Sequence, residues 1–532
     1  MIANYIVTLI LIPFIFIVPG LFLTILLRIK RSFLETISIS FFLSFVIIGL
    51  LGILLKVIGF GLNFFIISSF LVLITILVVI KLLTLKNLPK ISREIKFVIL
   101  IFLIGYFVKV ALQTFILFYP LGGDWFEHYQ ISSTFLQEDW KFADKFNRPP
   151  LFNYLIAFVM SISSKDLWVA QIVAVFLNSI FIFPFFLLAG KFFDKKVQML
   201  STVFVAINPL LTENALYIWP KNFVGFFILL FFYLLLKKNK NWFLLGGIAG
   251  LGLLTHQLSL FYILTGFFIL YLLHRTRIFV TREFFTMCFM MLIFLLPWFL
   301  YTTSYKTTHT MFFYYPFAVD GYEKVLNATF SEVWQTFSSK PFYYIVGVRI
   351  ANFLNTIFPV IPALKIINLI IPLPTIYLHK IVDISILPLA YHYFHSFPGN
   401  LTLPLSIFVF LGIVKICRMK KYRILLIMIL LPFLFTDLFY GWIVPGLARQ
   451  TLQPTIPLLI LIGVWYVNSL KHRKFLFTLI LLLIVVETAV FIYAYYDYFL
   501  STWKFLDKIS VLSTWTGQNS AYNIFFKISQ FT

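Results

Sequence analysis

Long apolar runs alternate with short polar stretches along most of the chain. A run of about 20 apolar residues is long enough to cross about 30 Å of hydrocarbon as an α-helix. The pattern therefore predicts about fourteen membrane-spanning helices. They lie near residues 3–27, 33–55, 61–81, 97–119, 168–190, 197–213, 222–236, 242–256, 258–273, 283–301, 401–417, 424–442, 453–469 and 475–493.

Three longer polar segments interrupt this pattern, at residues 120–167, 302–400 and 494–532. The first of them contains six acidic residues. The second contains an apolar stretch at 354–378 that is rich in proline, which favours interfacial or re-entrant helices over a spanning pair. These segments are where chemistry outside the membrane is expected.

Composition and charge agree with a membrane protein. Of the 532 residues, 61% are hydrophobic and only 11% are charged, which excludes a soluble enzyme. The net charge of +23 does not indicate nucleic acid as a partner, because more than half of the Lys and Arg residues lie in short clusters between apolar runs. Short basic loops stay in the cytoplasm. With the N terminus outside, every cluster falls on the cytoplasmic side and all three polar segments fall outside. We therefore expect a multi-pass protein of the plasma membrane, in contact with membrane lipids and with its active site on the external face.

The first candidate motif follows the helix predicted at 97–119. Two glycines precede Asp124, and Glu127 and His128 come one helical turn later. A carboxylate among aromatic side chains at a membrane surface is expected to have a raised pKa, which suits a general base. We predict Asp124 and Glu127 to be catalytic. The alternative is that Asp124 only caps a short interfacial helix.

Four cationic or ionisable residues map to the same side of the membrane. Arg148 precedes an amphipathic stretch at 151–164, Lys221 lies at the start of a predicted helix, and His256 and Arg449 lie near the outer ends of helix pairs. We predict all four to bind a donor phosphate. Each also has a plainer interpretation: a snorkelling Arg148, a solvated Lys221, a hydrogen-bonded His256, and an Arg449 paired with Asp437. Together with the two acids, they fit a lipid-phosphate substrate.

The order of these motifs resembles the GT-C superfamily of integral-membrane glycosyltransferases, in particular the branch of protein O-mannosyltransferases and lipid A aminoarabinose transferases. In that family an acidic motif follows a helix into the first external loop, as residues 123–127 do here. A Pro-Pro-Leu segment then opens a juxtamembrane helix, as at 149–151. The stretches at 219–221 and 254–256 are similar to those of prokaryotic members, and an Arg before a Pro-containing late helix matches Arg449.

The resemblance implies an all-α polytopic membrane protein: a GT-C-like bundle of about 14 transmembrane helices with interfacial helices in the first catalytic loop. Three extra helices precede the usual first one. The implied organisation is an additional N-terminal segment at 1–96, a GT-C-like core at 97–301 with the acidic external loop 120–167, a long external loop at 302–400, C-terminal transmembrane helices at 401–493 and an external polar tail at 494–532.

The resemblance also implies a polyprenyl-phosphate sugar donor and an acceptor hydroxyl on a lipid, a glycan or a protein. The expected reaction is an inverting single displacement: Asp124 deprotonates the acceptor, and the cations stabilise the charge that the leaving phosphate gains. The acids are spaced Asp-x-x-Glu, unlike the Asp-x-Asp or Glu-x-Asp of the metal-dependent oligosaccharyltransferases. No cofactor is therefore predicted, although Asp124, Glu127 and His128 could hold a divalent ion.

Two other functions fit the overall pattern. An envelope polysaccharide polymerase or ligase would use an arginine-bearing external loop, but residues 302–400 contain only Arg349 as arginine. A lipid-linked sugar transporter or flippase would show inverted repeats and paired broken helices near the midplane, and the sequence shows neither. A purely scaffolding role would follow if the ionisable groups lay scattered in space.

Overall fold

The computed structural model describes residues 2–27, 32–84, 92–116, 124–137, 148–304, 315–319, 329–357, 401–441 and 454–487, together with 489. These residues form helices and connecting turns, as the apolar runs predict. The helices are α1 (Ile2–Leu26), α2 (Phe33–Val57), α3 (Phe64–Thr84), α4 (Arg93–Ile116), α5 (Asp124–Leu136), α6 (Leu151–Ile162), α7 (Leu167–Leu177), α8 (Ile182–Phe192), α9 (Lys195–Ile207), α10 (Pro209–Leu216), α11 (Lys221–Leu235), α12 (Trp242–Thr255), α13 (Ser259–His274), α14 (Arg282–Ser304), α15 (Phe330–Ser338), α16 (Phe342–Ile357), α17 (Leu403–Cys417), α18 (Arg423–Phe439), α19 (Ile456–Asn468) and α20 (473–487).

Burial divides the helices into an inner and an outer group. The most apolar part of the segment Leu167–Phe192, formed by α7 and α8, is 94% buried, whereas that of α3 is only 17% buried. Helix α11 is buried along its whole length. The outer helices expose large apolar side chains, such as Phe65 and Leu83 on α3. A surface of this kind suits lipid rather than water, so the bundle has the layering of a membrane protein.

Five helical segments among the described residues are long and apolar enough to cross a membrane, or six if one bent pair counts as a single span. Most of the later predicted spans form shorter apolar helices, such as α12 with 14 residues and α19 with 13. The all-α polytopic class is therefore confirmed, and the count of fourteen spans stays a prediction.

Two predicted helices are interrupted. The one predicted at 168–190 breaks at residues 178–181, between α7 and α8. The one predicted at 197–213 bends by 49° between α9 and α10. Pro209 begins α10, where its missing N–H and fixed φ are tolerated, and the Asn208 side chain accepts a hydrogen bond from the Leu211 N–H at 3.0 Å. Both breaks lie close to the candidate site.

The N-terminal helices pack into the same core as the rest of the bundle. On α2, the ring of Phe45 meets that of Phe223 edge-on with centroids 5.2 Å apart, and the Phe41 ring lies 5.9 Å from that of Phe176. Helix α6, predicted as an amphipathic stretch, is also an inner element, because residues 151–160 are all buried. Its neighbours α2, α5, α7 and α12 cover the side that an interfacial helix would show to solvent.

Two Lys–Glu ion pairs lie at the end of the bundle opposite the predicted site residues. The Nζ atom of Lys237 lies 2.7 Å from Glu35 Oε1, and that of Lys195 lies 2.6 Å from Glu94 Oε1. Each pair joins residues that the topology places on the cytoplasmic side. We call this the basic end, defined by these four residues. The opposite end carries the predicted site residues and is called the site end. Which side of the membrane each end faces stays a prediction.

Candidate functional site

Two predicted site residues form an ion pair. Arg148 donates hydrogen bonds from Nη2 and Nε to Glu127 Oε2, at 2.9 and 3.3 Å. Both side chains are about one-third exposed. Glu127 lies in the first turn of α5, and Arg148 lies just before α6, so the pair joins the starts of two adjacent helices. The acidic motif and the Pro-Pro-Leu motif are therefore brought together, as the lipid-phosphate hypothesis requires.

His128 faces the interior of the bundle. His128 is 3% exposed. Its Nδ1 lies 2.8 Å from Asn153 Oδ1, and because an amide oxygen only accepts, Nδ1 is the donor of this hydrogen bond. The neighbouring Tyr129 donates its hydroxyl to the Lys165 carbonyl at 3.2 Å, and burial raises the pKa of this phenol. Both contacts hold α5 against α6 and the loop that follows α6.

Lys221 is buried at the start of α11, with an exposure of 9%. Its Nζ lies 4.2 Å from the centroid of the Trp219 ring, a cation–π contact. Trp219 is itself stacked on Tyr217, with centroids 4.9 Å apart. The interpretation of Lys221 as a solvated loop lysine is therefore wrong, because the residue is buried at a helix N-terminus and its ammonium lies over the Trp219 ring.

Asn178, which the sequence analysis did not identify, holds this loop in place. Its Nδ2 donates to the Trp219 carbonyl at 2.7 Å, and its Oδ1 accepts from the Phe223 N–H at 2.9 Å. Asn178 therefore caps α11 from the break between α7 and α8. Asn222 adds a second link, donating from Nδ2 to the Leu211 carbonyl of α10 at 2.7 Å. The available signal was a polar residue inside a long apolar run, a position shared by Gln171 and Ser179.

Aromatic contacts connect the two motif regions. The His128 ring meets the Phe152 ring edge-on with centroids 5.9 Å apart, and the Phe152 and Phe223 rings are also 5.9 Å apart. Phe152 lies in the first turn of α6, four residues after Arg148, and Phe223 lies two residues after Lys221. The acidic motif and both cations thus lie at the same end of the bundle.

His256 follows the last residue of α12 at this end, and its Nδ1 accepts a hydrogen bond from the Leu258 N–H at 3.2 Å. One turn earlier, Gly252 faces α11, since a Cβ there would lie 3.4 Å from the Cβ of Phe227. The structure therefore packs the last turn of α12, which leads to His256, against α11, and the His256 ring has a local hydrogen bond.

Two of the predicted site residues lie beyond what the structure describes. The side chain of Asp124 is not described, although its backbone begins α5, and Arg449 lies between the described ranges. The side chain of Asp437 on α18 is not described either. Pro454, five residues after Arg449, lies against α11, where a Cβ on Gly225 would be 3.8 Å from its Cα. The roles of Asp124 and Arg449 stay predictions.

The described residues contain no group of three His, Cys, Asp or Glu side chains arranged to hold a metal ion. Of the trio considered for a divalent ion, Glu127 bonds to Arg148 and His128 bonds to Asn153. That no metal ion is needed stays a prediction, because the third member of the trio is Asp124, whose side chain is not described.

The fold and this site define a polytopic α-helical membrane protein in which acidic and cationic groups meet at one end of the bundle. Residues 147–301 match the family described as dolichyl-phosphate-mannose-protein mannosyltransferase, a part of the GT-C superfamily. The match confirms the resemblance over this range, which holds Arg148, Lys221 and His256, and it indicates a membrane glycosyltransferase. No curated protein and no solved structure matches the chain.

Proposed function

We propose that this protein transfers a sugar from a polyprenyl-phosphate donor to an acceptor hydroxyl by an inverting single displacement, on the external face of the plasma membrane. The observation that carries the proposal is buried Lys221 at the start of α11, inside the family-matched range. A helix N-terminus is itself positive, so a cation buried beside it favours binding of an anion. The phosphate of a lipid-linked sugar supplies that anion.

The two acids take different roles in this proposal. Glu127 holds Arg148 at the start of α6 through the 2.9 Å ion pair, so it acts as a positioning residue. Asp124, one turn earlier on α5, is the base that removes the proton from the acceptor hydroxyl. The hydroxyl oxygen then bonds to the anomeric carbon as the bond from that carbon to the phosphate oxygen breaks.

The cations act on the leaving phosphate. Its negative charge grows as the bond breaks, so positive groups fixed near it bind the transition state more tightly than the ground state. Lys221 is expected to contribute more than Arg148, whose charge is partly offset by Glu127. His256 and Arg449 are proposed to support Lys221 from the neighbouring helix ends.

The donor and acceptor follow from the same chemistry. The family description names a dolichyl-phosphate mannose, so a polyprenyl-phosphate mannose is the first donor to test. The acceptor needs only a hydroxyl that reaches Asp124, on a lipid, a glycan or a protein. A transporter is less well supported, because α9–α10 is the one pair among the described helices that bends strongly, by 49°, at its break, and paired broken helices are typical of transporters.

The test measures sugar transfer in membranes that contain the protein, with a donor labelled in the sugar. Asp124→Asn is expected to lower kcat by about 10²- to 10⁴-fold, the usual contribution of a general base. Lys221→Met is expected to raise the KM for the donor about tenfold, which corresponds to about 1.4 kcal/mol.

Matched controls come from the same end of the bundle. Asp166 and Lys165 are exposed and adjacent, so Asp166→Asn and Lys165→Gln remove the same charges outside the site and should leave transfer unchanged. Full activity in Asp124→Asn would overturn its role as the base. A Lys221→Met enzyme that behaves like Lys165→Gln would overturn the phosphate site.

A further inference from the structure

A cavity of about 450 Å³ opens at the basic end, away from the site end. Its lining comes from two short stretches, 240–243 and 282–283, together with Thr286. The first stretch ends in the start of α12, and the second is the start of α14. Two helix N-termini therefore share one cavity.

Glycines bring these two helix starts together. A Cβ on Gly246 of α12 would collide with the Met287 carbonyl oxygen of α14, and a Cβ on Gly250 would lie 3.0 Å from the Met291 carbonyl oxygen. The contacts advance by four residues on both helices, so α12 and α14 run parallel. Their positive N-terminal ends therefore point the same way and lie side by side.

The lining offers several groups that bind anions. Asn241 caps α12, where its Oδ1 accepts from the Leu244 N–H at 3.0 Å, and Thr281 caps α14, where its Oγ1 accepts from the Phe284 N–H at 3.3 Å. Each cap therefore accepts from the N–H of the third residue of its helix. The first two N–H groups of each helix have no intrahelical acceptor, and they belong to the residues that line the cavity. Lys240 and Arg282 add two cations to this set.

The charge of the lining residues and the apolar surface beside the cavity indicate which class of anion it binds. Glu283 also lines the cavity, so two cations and one carboxylate leave a net charge of +1, which matches the single negative charge of a phosphodiester. Phe243, Phe285 and Phe289 are 57%, 61% and 62% exposed. Phe285 and Phe289 are one turn apart on α14, so they form an exposed apolar stripe that leads from the cavity along the membrane-facing surface. Such a stripe suits acyl chains.

We propose that this cavity binds the phosphodiester of an anionic membrane phospholipid at the basic end. Lys240, Arg282 and the first N–H groups of α12 and α14 contact the phosphate, and the acyl chains follow Phe243, Phe285 and Phe289. Basic cavities between membrane helices are a known way of holding lipid headgroups. Lipid binding here is separate from sugar transfer at the site end.

The test titrates phosphatidylglycerol into the purified protein in neutral detergent and counts bound lipid by native mass spectrometry. Lys240→Gln and Arg282→Gln are each expected to weaken binding of the tightest lipid about tenfold. Glu283→Gln is expected to strengthen it, because it removes a repulsive charge. Lys196→Gln is the control, since Lys196 is an exposed lysine of the same end that does not line the cavity.

The melting temperature without lipid confirms that each variant is folded. Inorganic phosphate and phosphatidylcholine form the other arms. Neither should displace phosphatidylglycerol at equal concentration, because the first has no acyl chains and the second adds a quaternary ammonium beside Lys240 and Arg282. If inorganic phosphate competes equally well, the cavity takes a soluble anion and the lipid assignment is overturned. If Lys240→Gln and Arg282→Gln lose no more affinity than Lys196→Gln, the binding is unspecific and the proposal fails.

Discussion

At the scale of single residues, Asn178 holds the loop that carries Lys221. Its side chain is fully buried, and it satisfies one backbone carbonyl and one backbone N–H on the loop that carries Lys221. The same residue lies where α7 ends, so it joins the break in one helix to the start of another. The position of Lys221 therefore depends on a residue 43 positions earlier.

Asn178→Ala should damage stability and substrate binding together. It takes the hydrogen-bond partner from two backbone groups, and each buried group left unsatisfied costs about 1–3 kcal/mol. The expected results are a lower melting temperature and a higher KM for the donor. Asn239→Ala, in an exposed turn at the basic end, should change neither. An unchanged KM in Asn178→Ala would show that this residue does not position Lys221.

The sequence shows Asn178 but not its role. Asn178 is visible as a polar residue in a long apolar run, as are Gln171 and Ser179, whereas its partners at 219 and 223 lie more than 40 residues away. The Glu127–Arg148 pair was easier to predict, because the sequence already placed the motifs of both residues on the same side of the membrane. No local pattern shows that Lys221 lies over the Trp219 ring rather than in solvent.

At the scale of helices, close approach of α12 and α14 depends on glycine. Gly246 and Gly250 are four residues apart, the spacing that lets membrane helices pack backbone to backbone. Gly49 on α2 offers the opposite case, since a Cβ there would meet nothing within 4 Å. The two positions form a matched pair for testing this contact.

Gly246→Ala should destabilise the protein, because the new Cβ collides with the Met287 carbonyl and forces the helices apart. Gly49→Ala should leave stability unchanged or raise it by about 0.5–1 kcal/mol, the gain in helix propensity. Thermal unfolding in detergent would compare the two. Equal melting temperatures for both variants would contradict the packing described for α12 and α14.

A second prediction at this scale concerns the ion pair between Glu35 of α2 and Lys237, two residues after the end of α11. Glu35 is 3% exposed, and it also accepts a hydrogen bond from the Tyr233 hydroxyl at 3.3 Å. Lys237→Met removes the cation beside this buried carboxylate, so a loss of about 3 kcal/mol is expected, at the lower end of the range for buried pairs because Lys237 is one-quarter exposed. Adding Glu35→Gln should restore part of the loss. A double variant less stable than Lys237→Met would contradict this account.

The bounds of most helices follow from the sequence. Residues 222–236 were predicted as a helix and α11 spans Lys221–Leu235, because a proline precedes the apolar run and lysines follow it. The break at Asn208–Pro209 and the burial of α6 were not predicted. Both depend on packing against other helices, and the apolar pattern of one segment does not show its neighbours.

At the scale of the whole molecule, two Lys–Glu ion pairs lie at one end of the bundle and the predicted site residues lie at the other. The basic loops were predicted to share one side, and the ion pairs of Lys195 and Lys237 lie at one end as that prediction requires. The sequence could not show that α1 and α2 belong to the central core, because no short-range pattern links Phe45 to Phe223.

Cysteine labelling would test the orientation. Cys417 is exposed near the basic end, and Lys165 is exposed at the site end. In a Cys288→Ala background, a membrane-impermeant maleimide should label Cys417 only in permeabilised cells. Lys165→Cys, with Cys417→Ala added, should be labelled in intact cells. The reverse result would place the site end in the cytoplasm and overturn the external active site.

The contact between Glu35 and Lys237 also has a consequence for biosynthesis. The two residues are 202 positions apart, and a ribosome adding about 5–20 residues per second needs about 10–40 s to travel that distance. Helix α2 is therefore inserted well before Lys237 has been translated. The earliest helices of this protein must wait in the bilayer for a later one, so a ribosome that stalls before residue 237 leaves a chain whose first helices have not finished packing.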